Sequence, residues 1–523
     1  MKLNYKRTIC VGFAFFLICA FWQAYDNTIP LILTNKFGMS QAWSGVIMAL
    51  DNILALFLLP LFGAISDKHT GKRGRRTPFI LIGTIVAAIA FISLSLVDDA
   101  QLKNLDGAAA IDDPAALRIV YQKEADRTLK TPDGETFVLS DTFTEDEFAA
   151  ITSQVANAEG KTVTNHDYTN HDYTNYVVPA RQAYAHQTTL QHPGALIGFI
   201  ALLLIVLVAM ATFRSPAVAL MPDVTIKPLR SKANAVINLM GTGGGILVLA
   251  IGMGFATSSV RNSLMSYTAY FSVIAGLMLL ALLIFRLTVN EPKFVAEMQT
   301  DSKRFGIDNG DDGDTPAASG KLGKAERRSL IFLLLSIVLW FFGYNAVTSK
   351  YSVYASNILH KDYNLTLMLA QAAAIVAYLP VGIVASKIGR KKTILGGVVM
   401  LAIAFGVAAF LNSESPTMLM NAMFCLAGIG WATINVNSFP MVVEMCSGSD
   451  VGRYTGFYYT ASMAAQVITP MFSGFLMDKV GMTVLFPYAA LFVAGAFVTM
   501  LFVRHGDSRP IAAKGLEALD VDD

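Results

Sequence analysis

Twelve apolar runs recur along this chain, near 8–33, 41–66, 78–97, 193–213, 231–257, 264–287, 329–350, 364–386, 393–411, 416–437, 453–476 and 482–503. Each is close to the roughly 20 residues a helix needs to cross a hydrocarbon core. With no water there, every backbone N–H and C=O must be satisfied inside the segment, so isolated runs of this length must be helical. Of the 523 residues 54% are hydrophobic and only 15% charged, where a soluble chain carries about 25% charged. These features predict an all-α membrane protein of twelve transmembrane helices. They exclude a soluble enzyme with one compact core, a disordered scaffold and a disulfide-stapled module. Cys10, Cys19, Cys425 and Cys446 fall in or beside apolar runs without metal-ligand spacing and read as packing residues. The first run follows Lys2, Lys6 and Arg7 but extends past a signal peptide's apolar region, so it is expected to be a retained helix.

Basic residues set the orientation. Lys68, Lys72, Arg73, Arg75 and Arg76, then Arg214, Lys227, Arg230 and Lys232, then Lys321, Lys324, Arg327 and Arg328, then Lys387, Arg390, Lys391 and Lys392 fall on one side. Lys36, Arg261, Lys361 and Lys479 are scattered singly on the other. Both termini and the 289–328 segment are therefore expected in the cytoplasm of a multi-pass cell-membrane protein. The reading divides the chain into an N-terminal bundle (1–97 and 193–288), an acidic extracellular insert (98–192), a cytoplasmic linker (289–328), a C-terminal bundle (329–503) and a cytoplasmic tail (504–523). The insert holds the tandem repeat Asn165 to Thr169 and Asn170 to Thr174. It reads either as a solvated cap without a transport role or as a surface that binds glycan, cation or partner.

The halves repeat each other. Gly63, Asp67, Lys68, Gly74, Arg75 and Arg76 close the second helix; Gly382, Ser386, Lys387, Gly389, Arg390 and Lys391 close the eighth. Tyr25 and Asp26 in helix one match Tyr344 and Asn345 in helix seven, and Asp223 and Arg230 after helix four match Glu444 and Arg453 after helix ten. A six-plus-six repeat is how many secondary transporters are built, with substrate near the midplane between repeats.

These residues resemble the major facilitator superfamily, whose G-x-x-x-D-[RK]-x-G-R-[RK] signature appears in both halves. The first copy carries extra residues (His69 to Arg73), and the second has Ser386 in place of the acid. The segment from Pro60 through Asp67, Lys68 and Thr70 to Gly74, Arg75, Arg76, Thr77, Pro78 and Phe79 is similar to the glycoside–pentoside–hexuronide:cation symporters, and closer to the sucrose and proton-associated sugar transporters. Met48 to Phe57 and Gly428 to Thr433 resemble bacterial members of that sugar group. The resemblance implies two pseudo-symmetric six-helix bundles and sugar transport. It also implies that the signature Asp and Arg brace an inner gate. The gate candidates are Asp67, Arg75, Arg76, Arg214, Asp223 and Arg230 in the first half, and Lys387, Arg390, Glu444 and Arg453 in the second. Sodium-using glycoside symporters place two carboxylates where this chain has Ala55 and Leu59. A hard cation wants several oxygens, so the coupling ion is expected to be a proton.

Two acids lie within the runs. Asp51 stands about 15 Å along helix two at 1.5 Å per residue, near the middle of a core about 30 Å thick; Asp26 lies in the outer third of helix one. Such acids usually face a bundle interior or wet cavity. Either could carry the proton, and either could instead serve as a structural hydrogen-bonding group. All seven histidines lie in loops or at helix ends, which leaves carboxylates for the relay. Sugars need polar partners for hydroxyls and aromatic faces for C–H surfaces. Candidates are Trp22, Gln23, Tyr25 and Asn27 in helix one; Asn234 and Asn238 in helix five; Phe342, Tyr344, Asn345 and Lys350 in helix seven; and Tyr458, Tyr459 and Gln466 in helix eleven. Individually such residues are often packing or interhelical glue.

No Walker-type phosphate loop is present, and helix five lacks the Gly-Pro pair of drug:proton antiporters. The expectation is a monomeric, cofactor-free, proton-coupled importer of an α-glucoside or disaccharide such as sucrose or maltose. Its partners are the sugar and the lipid bilayer; no enzymatic activity and no nucleic acid are expected. The alternatives are an exporter of drugs or metabolites and a sugar sensor that transports nothing.

Overall fold

The computed structural model describes residues 3–110, 112–152, 154–156, 161–164, 172–226, 229–259, 263–305, 323–443, 445 and 451–505. The chain opens with three long helices, α1 (Tyr5–Asn35), α2 (Gln41–Lys68) and α3 (Thr77–Asn104). The insert follows with α4 (Pro114–Glu124), strands β1 (Thr128–Lys130) and β2 (Thr136–Val138), α5 (Leu139–Thr142), α6 (Glu145–Ala149), strands β3 (Gln154–Ala156) and β4 (Thr162–Thr164), and α7 (Val178–Gln191). Then come α8 (Pro193–Val224), α9 (Arg230–Gly254), α10 (Thr268–Thr288) and the short α11 (Glu291–Arg304). The second half consists of α12 (Lys324–Tyr354), α13 (Tyr363–Ile388), α14 (Arg390–Ala408), α15 (Thr417–Val443), α16 (Val451–Val480) and α17 (Leu485–Leu501). Among the described residues ten helices are long and apolar enough to cross a membrane. The other two of the twelve long helices, α13 and α16, run 26 and 30 residues. The protein is an all-α, multi-pass membrane protein.

Internal prolines sit in α1 (Pro30), α2 (Pro60), α8 (Pro216 and Pro222), α13 (Pro380), α15 (Pro440) and α16 (Pro470); packed spanning helices tolerate them because neighbours re-satisfy the freed carbonyls. The signature turns repeat in geometry as well as in sequence. Gly74 (φ +97) precedes α3 and Gly389 (φ +93) precedes α14, both in the left-handed region that only glycine enters without strain.

One hydrophobic core spans residues 11–289 and a second spans 330–503, with Leu31 reaching into the second. Within the halves α1 packs on α9, α3 on α8, α14 on α15 and α12 on α17; between them α2 packs on α16 and α9 on α13. The helices run longer than apolarity alone indicates. α3 continues to Asn104, so residues 98–104 belong to a helix and not to the insert. α8 runs to Val224, well past 213. The insert is a packed module: β1 pairs antiparallel with β2 (Leu129 opposite Phe137), and Leu117, Val120, Leu139, Phe148 and Tyr173 share a core of their own. Residues 165–171, most of the tandem repeat, lie outside the described residues.

The extension of α3 has a physical cause. Asp98 pairs with Lys36 just past the end of α1, and both side chains are fully buried. The Lys36 ammonium also donates to the Met265 carbonyl at 2.6 Å and lies 4.7 Å from the Tyr267 ring centroid. One cation thus ties α1, α3 and the entry to α10, and an ion so placed is tolerable only while paired. Asp98→Asn strands the ammonium and is expected to cost about 3–5 kcal/mol, read as a lowered melting temperature in detergent. Restoring neutrality with Lys36→Met in the same chain should recover most of the loss; an unchanged melting temperature for the single variant would contradict this role.

Candidate functional site

The two halves are sealed at the face that carries the insert. Gly45 of α2 lies so close to α16 that a Cβ there would stand 2.0 Å from the Pro470 carbonyl oxygen, and one on Gly474 would stand 2.2 Å from that of Gln41. Asp478 of α16 accepts from the backbone N–H groups of Gln41 and Ala42, each at 2.8 Å, and so caps a helix of the other half at its positive end. Lys350 of α12 donates to the Gln41 carbonyl at 2.6 Å. Tyr363 and Asn364 of α13 donate to the Thr257 hydroxyl after α9, at 2.8 and 3.1 Å. Near mid-membrane, Gln371 of α13 donates to Gln23 of α1 at 2.6 Å.

Toward the opposite face, the one bearing the basic residues, the seam parts. The buried residues of α2 are confined to Gln41–Ala49 and Ser66, while Leu56 (53%), Phe57 (67%) and Leu61 (50%) are exposed. Level with the Gln23–Gln371 bridge lies a charged cluster. Asp26 on α1 and Asp51 on α2 are within electrostatic range of each other and of Arg214 on α8. Asp51 accepts from the Asn52 amide at 2.8 Å, and the Arg214 guanidinium lies 5.8 Å from the Trp22 ring centroid. Both carboxylates are half-buried, and among the described residues Arg214 makes no direct ion pair. Tyr25 packs edge-on against Trp22 at 5.3 Å, fully buried. The Trp22 indole N–H and the amide nitrogens of Asn27 and Asn345 are buried without partners.

Several expected residues take other positions. Arg214 is no gate residue, because α8 carries it ten residues above its C-terminal end to the carboxylates. Lys350 is fully buried in the seam against Gln41, so it closes the pathway and does not line it. Phe342 stacks on Phe492 at 5.3 Å within the α12–α17 contact, so it packs the C-terminal half. Tyr344 stacks flat on Trp431 of α15 at 3.6 Å and 2°. Tyr458 is buried with its hydroxyl 3.3 Å from Ser438, and Tyr459 packs on Phe439 at 6.1 Å. Asn234, Asn238 and Gln466 are half-buried on α9 and α16. Trp431, Gln371 and Asp478 were not among the expected site residues; Gln371, a polar residue in the apolar eighth run, was the available signal.

The basic-face charges pair inside the first half. Arg75 reaches Asp223 at 2.8 Å, and Arg76 reaches Asp223 at 2.9 Å and Asp67 at 2.5 Å. Arg230 donates to the carbonyls of Thr225 and Pro222 at 3.3 and 3.2 Å, closing the end of α8. In the second half Lys387 is exposed and Arg390 half-buried. Glu444 lies outside the described residues, as does the Arg453 side chain. A further carboxylate, Glu291 at the start of α11, accepts from the N–H groups of Arg75, Arg76 and Thr77 (2.8, 2.9 and 2.7 Å) and from the Thr77 hydroxyl (2.7 Å). It fills the space beside Gly74, where a Cβ would stand 2.3 Å from it, which explains the signature glycine.

A family model described as Major Facilitator Superfamily matches residues 357–519, and one described as MFS/sugar transport protein matches 10–100. The sucrose transport protein SUC3 of Arabidopsis thaliana is 42% identical over 70 residues, 13% of this chain and 11% of that protein. The MFS-type transporter ppzB of Metarhizium rileyi is 25% identical over 147 residues, 28% of this chain and 29% of that protein. These matches thus span under a third of either relative's length. The inward-open xylose transporter XylE of E. coli superposes with a TM-score of 0.56 at 15% identity, covering 98% of both chains, which is a likeness of fold. The chain thus shares the fold of that transporter, and two stretches of it match models of the major facilitator and MFS sugar-transport families.

Glu291→Ala leaves four donors without an acceptor. The expected loss is on the order of 3 kcal/mol, measured as a drop in thermal stability, with Glu291→Gln intermediate. A fully stable alanine variant would contradict the bracing role.

Proposed function

We propose that this protein is a proton-coupled sugar importer, working by alternating access on an α-glucoside or disaccharide such as sucrose or maltose. The observation that carries this reading is the grouping of Asp26, Asp51 and Arg214 beside Trp22 and Gln23. Two carboxylates and one guanidinium sum to a single negative charge, and one proton makes the set neutral. An uncompensated charge in a closed apolar bundle is expensive, so the halves close over the cluster at least cost when it is protonated. Sugar bound against it supplies oxygens to the unpartnered donors of Trp22, Asn27 and Asn345 and a C–H face to the Tyr344–Trp431 stack. The similarity to plant sucrose transport proteins and to the sugar-transport family model supports the substrate class.

Basic loops remain in the cytoplasm, so the basic face is taken as the inner one and both termini as cytoplasmic in the cell membrane. The arrangement is then inward-open, with the insert outside. Asp67, Arg75, Arg76 and Asp223 hold the inner ends of α2, α3 and α8 as one block, which closes against Lys387 and Arg390 of the other half when the cavity faces out. One proton entering down about 100 mV supplies about 2.3 kcal/mol, enough for roughly fifty-fold accumulation.

Asp26→Asn and Asp51→Asn, made separately, test the assignment. The variant lacking the coupling acid should exchange internal for external sugar while its uphill accumulation falls from about fifty-fold to none. Unchanged accumulation in both variants would contradict proton coupling through this cluster.

A further inference from the structure

The insert is bolted to one half and touches the other. At its base, Gln101 of α3 donates to the Lys36 carbonyl and the Thr189 hydroxyl at 2.9 and 3.0 Å, and Thr189 donates to the Phe37 carbonyl at 3.1 Å. Gln182 of α7 donates to the Asn35 side chain at 2.9 Å. Gly38 (φ +62) lies so near α7 that a Cβ would stand 2.3 Å from the Gln182 carbonyl oxygen. The base is therefore continuous with α1 and α3 of the N-terminal half.

The tip is the β1–β2 hairpin, and it lies on the α16–α17 corner of the other half. Met482 N–H donates to the Pro132 carbonyl at 2.6 Å, and Lys130 donates to the Asp478 carbonyl at 3.3 Å. Two glycines interlock: a Cβ on Gly134 (φ +101) would stand 2.2 Å from the Val480 carbonyl oxygen, and one on Gly481 (φ +120) 2.2 Å from that of Asp133. A third contact joins Thr174 to His360 at 3.2 Å. The corner so held is the one whose Asp478 caps α2 across the seam.

We propose that the insert is an external strap, which holds the two halves together while the outer seam is closed and lets go when it opens. Its base rests on several buried side-chain bonds and a close backbone approach, its tip on a short hairpin turn, so the tip is the part that releases. A contact made in only one of two states biases their equilibrium by its own free energy. The strap thereby sets how long the carrier waits inward-open. The inference rests on the alternating-access reading above and not on the identity of the sugar.

The test uses the full chain with its four cysteines replaced by serine and Ser44→Cys as reporter, a buried position on the first turns of α2 at the seam. A membrane-impermeant maleimide is applied from outside, without substrate. Lys130→Ala with Met482→Pro removes two tip bonds; Met482 opens a short helical turn, a position that accepts proline. The expected result is labelling about tenfold faster, the worth of two ordinary hydrogen bonds. Unchanged labelling would overturn the strap. In a second variant Pro132→Cys and Met482→Cys are oxidised to a disulfide, which should stop sugar uptake and restore it on reduction. Undiminished uptake by fully cross-linked protein would likewise overturn it. Accelerated labelling in a chain that moves no sugar would count against the proposed function and leave the strap standing.

Discussion

The arrangement depends on how closely two helices from opposite halves approach at one end of the molecule. Gly45 against Pro470 and Gly474 against Gln41 leave no room for a side chain, and Asp478 turns that approach into hydrogen bonds by capping α2 across the seam. A rigid helix clamped at one end can diverge at the other, and Leu56, Phe57 and Leu61 are exposed on α2. The lower part of α2 stands exposed toward the basic face, and the charged cluster lies level with Gln23–Gln371. Closing the seam and opening the pathway are one geometric event.

That geometry gives the scattered charges distinct tasks. Lys36 and Asp98 hold the outer ends of three helices inside one half, Lys350 and Asp478 hold one half to the other, and Glu291 with the Arg75–Arg76–Asp223 set holds the inner ends of the first half. Each of these has a partner where it stands. Asp26, Asp51 and Arg214 differ, because their charges do not sum to zero and their surroundings are half-buried. An imbalance of one charge inside a membrane is what a proton can correct.

The architecture was legible from apolarity. All twelve long helices fall where the hydrophobic runs place them, and the repeat at Gly74 and Gly389 returns as a pair of left-handed turns. Helix ends were harder to read, because polar residues at a helix end resemble loop. Asp98 looked like the start of the insert but is buried against Lys36, and Arg214 looked like a loop charge but sits inside α8. The same difficulty hid the seam: Lys350 read as lining and Asp478 drew no notice, since a cross-half contact leaves no local pattern. Phe342 and Tyr344 stand two apart on one helix, and only packing distinguishes the one that faces α17 from the one that stacks on Trp431. The insert's role was not legible at all, because it depends on which distant loop its hairpin touches.

The central claim is that sugar and proton move together through this chain. Its most direct measurement is external pH in lightly buffered cells that express the protein, with sucrose, maltose and other sugars added in turn. The account predicts alkalinisation with at least one sugar, abolished by an uncoupler. Saturable uptake of labelled sugar with no pH change would contradict proton coupling, and no uptake of any sugar would contradict the importer itself.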